Sequence, residues 1–485
     1  MNHKMIRKWP LPTVLAAFFS FITPNAHGQA AKPPAPEDAA PASPMPLQRR
    51  VETLSTDELV EKYHLPTITP GAEVSLAEAL KTANDRNLDL KAMQAEIAIA
   101  QGRLKTAWGA ILPVIQGKMS YTVHDHEDAM RLPDSEGNVI EIVTNRQHNV
   151  QGGIEAYMPI IDPKAWWGVK VAKEASALTQ MNVETVRQQV LLNVAEAYFS
   201  SLMAAKLIEI HLSTLVAFDY SRNIAESRHK VGAGLRIDVI RAETDIETAR
   251  QQLIAANLFY DNTRDVLAIL TDTEGLPLPV DPGPVAVPEE ETEVLEQKAM
   301  ENRPDLKAAR EQVAFYNIQI QESYMQFLPY LTASWSGSYQ FTEPSDAGPD
   351  DRSRMAGVFS LVVPIYDHYR YGDVDTKRAS LRKTEFEIRN AERNATMAVR
   401  KARRDYLAAL ASAEAAKKQS LLSKEALTLT EASYNTGTGS SLEVTDARRT
   451  ALQADVNATN QELEAQIALL GLIYAIGEDM RNLGK

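Results

Sequence analysis

The sequence predicts an α+β membrane protein, built as a duplicated unit of long coiled-coil-like helices plus β-hairpins. Three observations carry that prediction. Markers recur at long, regular offsets: Asp89 and Asp305 stand 216 positions apart, as do Pro113 and Pro329. Pro159 and Pro364 stand 205 apart, and so do Gly232 and Gly437, then Gly234 and Gly439. Four short segments alternate apolar and polar residues, and proline-free stretches carry apolar residues spaced three and four apart. A period this long indicates duplication of one unit rather than a short solenoid repeat.

The bulk composition narrows the setting. The chain has 485 residues and a net charge of −13, which argues against nucleic acid as a partner because phosphate binding needs a basic stripe. Residues 1–28 read as a signal peptide: Lys4, Arg7 and Lys8 precede the apolar run 11–23, and small residues follow at 26–28. That run is shorter than the ~20 residues of a membrane-spanning helix, and no other stretch reads as long and apolar enough to be one. Cysteine is absent, so there is no disulfide framework and no thiol to carry a lipid. Membrane attachment must come from the folded protein. Residues 29–72 form a Pro/Ala-rich lead with the character of a spacer.

Repeat 1 covers 73–275 and repeat 2 covers 292–485, joined by the Pro-rich linker 276–291. Each opens with a helix, expected over 75–108 and roughly 292–327. Ser75 is the N-cap, with Glu78 three residues on in capping-box spacing. Pro113 or Pro329 then ends the helical run. Two strands follow in each copy, at about 114–124 and 148–159, then about 330–341 and 354–364. In the first, Ile115, Gly117, Met119, Tyr121 and Val123 share one face and polar residues the other; the period of two means strand. A half-solvated antiparallel sheet and a lipid-facing barrel wall both fit this pattern. The barrel is favoured, because two lone hairpins are marginal in water and little other β-signal exists to build a soluble sheet. Four strands cannot close a membrane barrel, and open edges are not tolerated in lipid. The chain must therefore oligomerise, with two copies giving eight strands or three giving twelve. Loops 125–146 and 342–353 are expected as polar outer loops.

The long helices are expected over 166–231, 249–270, 374–434 and 441–476. Val183, Val186, Val190, Val194 and Ala197 mark a coiled-coil-like seam. Sixty helical residues span on the order of 90 Å, far beyond the needs of a small globular domain. The stretches "VGAGLRIDV" (231–239) and "TGTGSSLEV" (436–444) interrupt them. Two glycines inside a helix would cost about 2 kcal/mol. They instead mark reversals, where glycine takes the left-handed conformation that closes a helix.

Taken together, the duplicated "NLDLKA…LP" and "RPDLKA…LP" helices, the two hairpins and the paired glycine turns resemble the outer membrane efflux protein family from about 73 to 476. The resemblance implies a homotrimer with four strands per chain in one 12-stranded β-barrel, continued by a periplasmic α-helical barrel. It places the protein in the outer membrane of a Gram-negative bacterium, in contact with outer-membrane lipid and with a large periplasmic portion. The implied function is the passive exit duct of a tripartite efflux system, receiving substrates from a periplasmic adaptor (membrane fusion protein) and an inner-membrane transporter. The outer-membrane component of a type I protein secretion system is the close alternative, and a soluble periplasmic coiled-coil scaffold is the alternative of another class. Residue by residue, the resemblance puts adaptor contacts at the tip residues Gly232, Ala233, Gly437 and Thr438, a gate link at Asp238 and Tyr434, and an acidic aperture ring at Glu443 and Asp446. Gly439 stands where the family often has an arginine, which removes a second closing link. On residue chemistry alone, Tyr434 also serves as packing, Asp238 as first-turn dipole compensation, and the two acidic residues as solvated charges.

Enzyme chemistry is not expected. The "HDHED" run (124–128) begins an outer loop and is read as no metal site. There is no G-x-x-x-x-G-K-[ST] phosphate loop, no strand precedes "VGAGLR" as a dinucleotide fingerprint requires, and no nucleophile–base constellation stands out. No cofactor is implied.

Overall fold

The computed structural model describes residues 61–65, 67–133, 139–283, 285–288, 290–342 and 352–483. The expected signal peptide and most of the lead lie outside the described residues. In the first copy the elements are β1 (Glu73–Val74), α1 (Leu76–Arg86), α2 (Leu88–Gly109), β2 (Val114–Val123), β3 (Asp128–Pro133), β4 (Val139–Asn145), β5 (His148–Ile161), α3 (Pro163–Lys230) and α4 (Arg236–Thr271). In the second they are β6 (Leu278–Pro279), α5 (Thr292–Asn302), α6 (Pro304–Met325), β7 (Tyr330–Gln340), β8 (Ser353–Val362), α7 (His368–Asn435) and α8 (Ser441–Ile476). Corresponding helices match in length: 11 residues for α1 and α5, 22 for α2 and α6, 68 for α3 and α7, and 36 for α4 and α8.

The opening helix of each copy is two helices, where one was expected. Asn87 leaves helical geometry at ψ 129° and caps α2, its side-chain oxygen accepting from Leu90 N–H at 3.1 Å. Its amide donates to the Leu270 carbonyl at 2.8 Å, so the break also fastens α1–α2 to the end of α4. In copy two Arg303 takes the same extended conformation and Pro304 starts α6, as proline at a first helical position should.

The main core lies where both copies converge. Leu76, Leu80 and Leu90 pack with Leu191, Val194 and Tyr198 of α3, Leu267 of α4, Leu295 of α5 and Leu470 and Ile473 of α8. The seam expected on α3 is here: Val183, Val190, Val194 and Ala197 are buried. By length and composition α3 is apolar enough to cross a membrane, contrary to the reading of its sequence, yet 44% of that window is buried inside the protein. The linker and the end of the lead also join the body. Glu73–Val74 pairs in parallel with Leu278–Pro279, and Arg264, fully buried, donates to the carbonyls of Pro277 and Leu276 at 2.9 and 2.7 Å. Gly71 is required there, since a Cβ would lie 1.8 Å from the Leu276 oxygen. The lead is therefore more than a spacer at its end. Lys62 and Tyr63 donate to the buried Asp219 carboxylate at 2.8 and 2.5 Å, and Leu65 enters a second core cluster with Ile208, Phe218 and Leu253.

The four long strands form one antiparallel sheet in the order β2-β5-β7-β8, so that β5–β7 pairing joins the two copies. The register keeps the expected faces: Ile115 lies opposite Ala156, Ala156 opposite Trp335, and Trp335 opposite Gly357. Met119, Ile154, Trp335, Tyr339, Met355 and Phe359 therefore share one side, and all are exposed. The other side is mixed: Gln116 donates to Glu155 at 2.9 Å, while Val114, Tyr157 and Val358 form a row beside them. Among the described residues, β2 and β8 have no partner on their outer edges. The stretch expected as an outer loop carries a ribbon of its own, β3 against β4. Arg131 and Glu141 pair across it at 3.5 Å.

Candidate functional site: the glycine turns and the cleft between helix pairs

Helices α3 and α4 form one antiparallel pair and α7 and α8 the other, each reversing at a glycine turn. The two glycines of each turn act for different reasons. Gly232 and Gly437 have φ of +73° and +83°, the left-handed conformation that ends a helix. Ala233 N–H donates to the Arg228 carbonyl at 2.8 Å and Gly232 N–H to His229 at 3.0 Å, the paired bonds of a Schellman ending. Thr438 and Gly437 repeat them onto Ser433 and Tyr434 at 3.0 and 3.1 Å. Gly234 and Gly439 serve close approach instead. A Cβ on Gly234 would lie 3.0 Å from the Arg228 Cβ, and one on Gly439 would lie 3.2 Å from the Tyr434 nitrogen. An arginine at 439 would thus need the turn to shift.

The helices that leave the turns start differently. Ser440 caps α8 in a complete capping box: its hydroxyl accepts from Glu443 N–H at 3.3 Å, and its own N–H donates to the Glu443 carboxylate at 2.9 Å. Leu235 caps α4 with no side-chain bond. Asp238 lies in the first turn of α4, and its carboxylate accepts from the Ser441 hydroxyl at 2.5 Å.

Gly232, Ala233, Gly437 and Thr438 are exposed at the turns. Asp238 and Tyr434 line the same cleft between the helix pairs, but each is engaged elsewhere. Asp238 is held by Ser441 and lies 3.8 Å from Arg241. Tyr434 lies under the Arg228 guanidinium, 4.2 Å from ring centre to carbon. Glu443 and Asp446 are exposed on α8, with one oxygen of Glu443 committed to the cap.

Two arginines that sequence reasoning passed over tie the pairs together. Arg448 of α8 is buried and reaches α3, donating to the Ser221 hydroxyl and to the Ala217 carbonyl at 3.4 Å. Its other nitrogen pairs with Glu431 of α7. Arg449 meets Asp245 of α4 at 2.5 Å, and Asp245 is nearly sealed from solvent. A signal for these links was available. Asp238 and Ser441 are 203 apart, and Asp245 and Arg449 are 204 apart, close to the internal repeat offset. Near-equivalent positions of the two copies face each other across the cleft.

Comparison with known proteins agrees with this architecture. The sequence profile described as outer membrane efflux protein matches residues 79–271 and 295–478. Outer membrane protein TolC of Vibrio cholerae is 24% identical over 416 residues, covering 83% of this chain and 90% of that protein. Outer membrane protein OprJ of Pseudomonas aeruginosa is 25% identical over 302 residues, covering 59% and 60%. Among solved structures, CusC superposes with a TM-score of 0.69 at 17% identity, covering 92% of this chain and 99% of that one. The open state of the MtrE outer membrane channel of Neisseria gonorrhoeae gives 0.64 at 21% identity, covering 83% and 89%. With the profile spanning both copies of the repeat, this chain belongs to the outer membrane efflux protein family.

Proposed function

We propose that this outer-membrane efflux channel is a homotrimeric exit duct, whose three copies close one 12-stranded barrel and continue it as a helical barrel through the periplasm. The observation that carries this reading is the sheet. It has an exposed face rich in apolar side chains and, among the described residues, two unpaired edges, and only closure with further copies removes edges in lipid. The helices support the same arrangement. Phe386, Met397, Leu421, Leu422 and Leu429 lie exposed along α7, and neighbouring chains would cover such a face. A soluble scaffold would leave both surfaces in water.

In this reading the substrate passes down the axis without chemistry by the chain. A periplasmic adaptor docks on the exposed turns at Gly232, Ala233, Gly437 and Thr438 and links the duct to an inner-membrane transporter. Glu443 and Asp446 supply an acidic ring, three copies of each. The tip is shut by the cross-pair bonds of Arg448, Arg449 and Ser441, in place of a direct Tyr434–Asp238 bond. The tests are direct. Detergent-extracted protein should run as a trimer in light scattering and form channels in planar bilayers; a soluble monomer would end the reading. A deletion strain should gain susceptibility to small toxic compounds, whereas an unchanged susceptibility panel with a protein missing from the secretome would assign the duct to type I secretion.

A further inference from the structure

The two copies of the repeat do not make the same contacts. Helix α3 packs against both α2 and α6, and α7 packs against α6. Counterpart helices differ in exposure accordingly. α6 is half-buried along most of its length, whereas α2 is exposed along most of its own, with Ile99 and Trp108 in solvent. On α7, Phe386 and Met397 are exposed. The α3–α6 junction is thus filled within the chain, while the matching surfaces of α7 and α2 are open.

The ends of α4 and α8 differ in the same way, although they are built alike. Each closes on a left-handed residue, Asp272 or Gly477. Thr273 N–H donates to the Ala268 carbonyl at 3.1 Å, as Glu478 N–H does to Ile473 at 3.2 Å. Each end is fastened to its own copy, Asn87 donating to the Leu270 carbonyl and Arg303 to the Ala475 carbonyl. The segment after α8 then meets α3 of the other copy. Gln188 donates to Asp479 at 3.2 Å and accepts from Met480 N–H at 3.0 Å, and Glu184 lies 4.0 Å from Arg481. At the internal offset of 205, Glu274 is the counterpart of Asp479, and Arg393 and Arg389 are the counterparts of Gln188 and Glu184. All three are exposed, and none pairs with an opposite charge among the described residues. Opposite charges therefore stand on the two open surfaces of one junction.

We infer that a second copy of this chain docks on α7. Its α2 and the end of its α4 take the places that α6 and the end of α8 take on α3, and Glu274 of the partner subunit pairs with Arg389 and Arg393. The inference rests on the homotrimer proposed above and names which surfaces meet in it. Each chain offers an open α2 to the open α7 of the next, a head-to-tail contact of the kind that closes into a ring.

The full-length chain has no cysteine, so introduced thiols report the contact. Glu274→Cys combined with Arg393→Cys, extracted in detergent and treated with a short bismaleimide, should give products of two and three chains on denaturing gels. Neither single variant should give them. Glu274→Cys combined with Arg382→Cys, about 16 Å away along α7, should not either. A trimer by light scattering that yields no product from the first pair, or equal product from both pairs, overturns this docking and leaves the trimer standing. A monomer removes the trimer reading together with the docking. Reversing charge tests the ion pair itself. Glu274→Arg should lower the temperature at which the trimer separates in dodecyl sulfate, and adding Arg393→Glu should restore it. A single reversal with the wild-type temperature overturns the pairing of Glu274 with the two arginines.

Discussion

Replacing Arg448 by Met should loosen the tip while leaving the fold intact. The guanidinium makes two kinds of bond with different consequences. Those to Ser221 and Ala217 cross from α8 to α3, between helix pairs. The one to Glu431 stays within the α7–α8 pair, and Glu431 is 40% exposed, so its contribution is that of a partly screened pair, about 1 kcal/mol or less. A hydrogen bond to a charged group contributes about 1.5–3 kcal/mol. The cross-pair link of Arg448 is therefore about 2 kcal/mol per chain. Met keeps the aliphatic stem and leaves little unsatisfied, since the Ser221 hydroxyl also donates to the Ala217 carbonyl at 3.0 Å and Glu431 regains water. At 1.4 kcal/mol per tenfold, the equilibrium between closed and open tips should move roughly 30-fold per chain towards open. Single-channel recording in planar bilayers should then show a larger mean conductance and longer open times. Arg449 is the poorer probe, because its loss strands the sealed Asp245 carboxylate and mixes gating with unfolding. An Arg448→Met trimer of native size and helicity whose conductance and open time match the wild type would refute the reasoning.

Other perturbations separate the remaining roles. Gly232→Ala and Gly437→Ala place a Cβ in open space but at positive φ, so each should cost about 1–2 kcal/mol through backbone strain alone, read as a lower melting temperature; equal melting temperatures would count against the left-handed turn. Burial pushes the Asp219 carboxyl up, but hydrogen bonds from Lys62 and Tyr63 and the charge of Arg222 outweigh it and hold the group below the usual carboxylate range. With its folded pKa depressed, Asp219 contributes stability in full above the ordinary value of about 3.9 and loses it as pH falls through the folded value. The destabilisation by Asp219→Asn should thus be largest near neutrality and shrink below about pH 4, and a pH-independent difference in melting temperature would contradict this. On the outward face of the sheet, Phe359→Arg should cost about 2–4 kcal/mol if that face meets mid-bilayer lipid; its yield in the outer-membrane fraction should fall, and wild-type yield would place the face away from lipid.

Much of this architecture is legible in the sequence because duplication and alternation are local, countable signals. Two offsets located the matching turns, and a period of two assigned each strand residue to its face before any partner strand was known. Partner choice has no such signal. That β5 pairs with β7, joining the copies, is seen only in the structure. The break at Asn87 was missed because asparagine inside an apolar periodic run resembles any polar helix position; only its bond to Leu270, nearly two hundred residues away, accounts for it. The ribbon of 128–133 and 139–145 does not alternate cleanly, although five of the seven residues of "VIEIVTN" are β-branched, a strand signal of its own.

The tip shows why family resemblance and geometry must be weighed separately. The resemblance names Asp238 and Tyr434 as a gate link; both line the cleft, but Asp238 meets Ser441 and Tyr434 meets Arg228. At Gly439, where the resemblance has an arginine, a Cβ would lie 3.2 Å from the Tyr434 backbone nitrogen, so a side chain there would need the turn to give way slightly. The positive charges that cross the cleft lie two to three helical turns further along α8, at Arg448, which is buried, and at Arg449, which is exposed but meets the sealed Asp245.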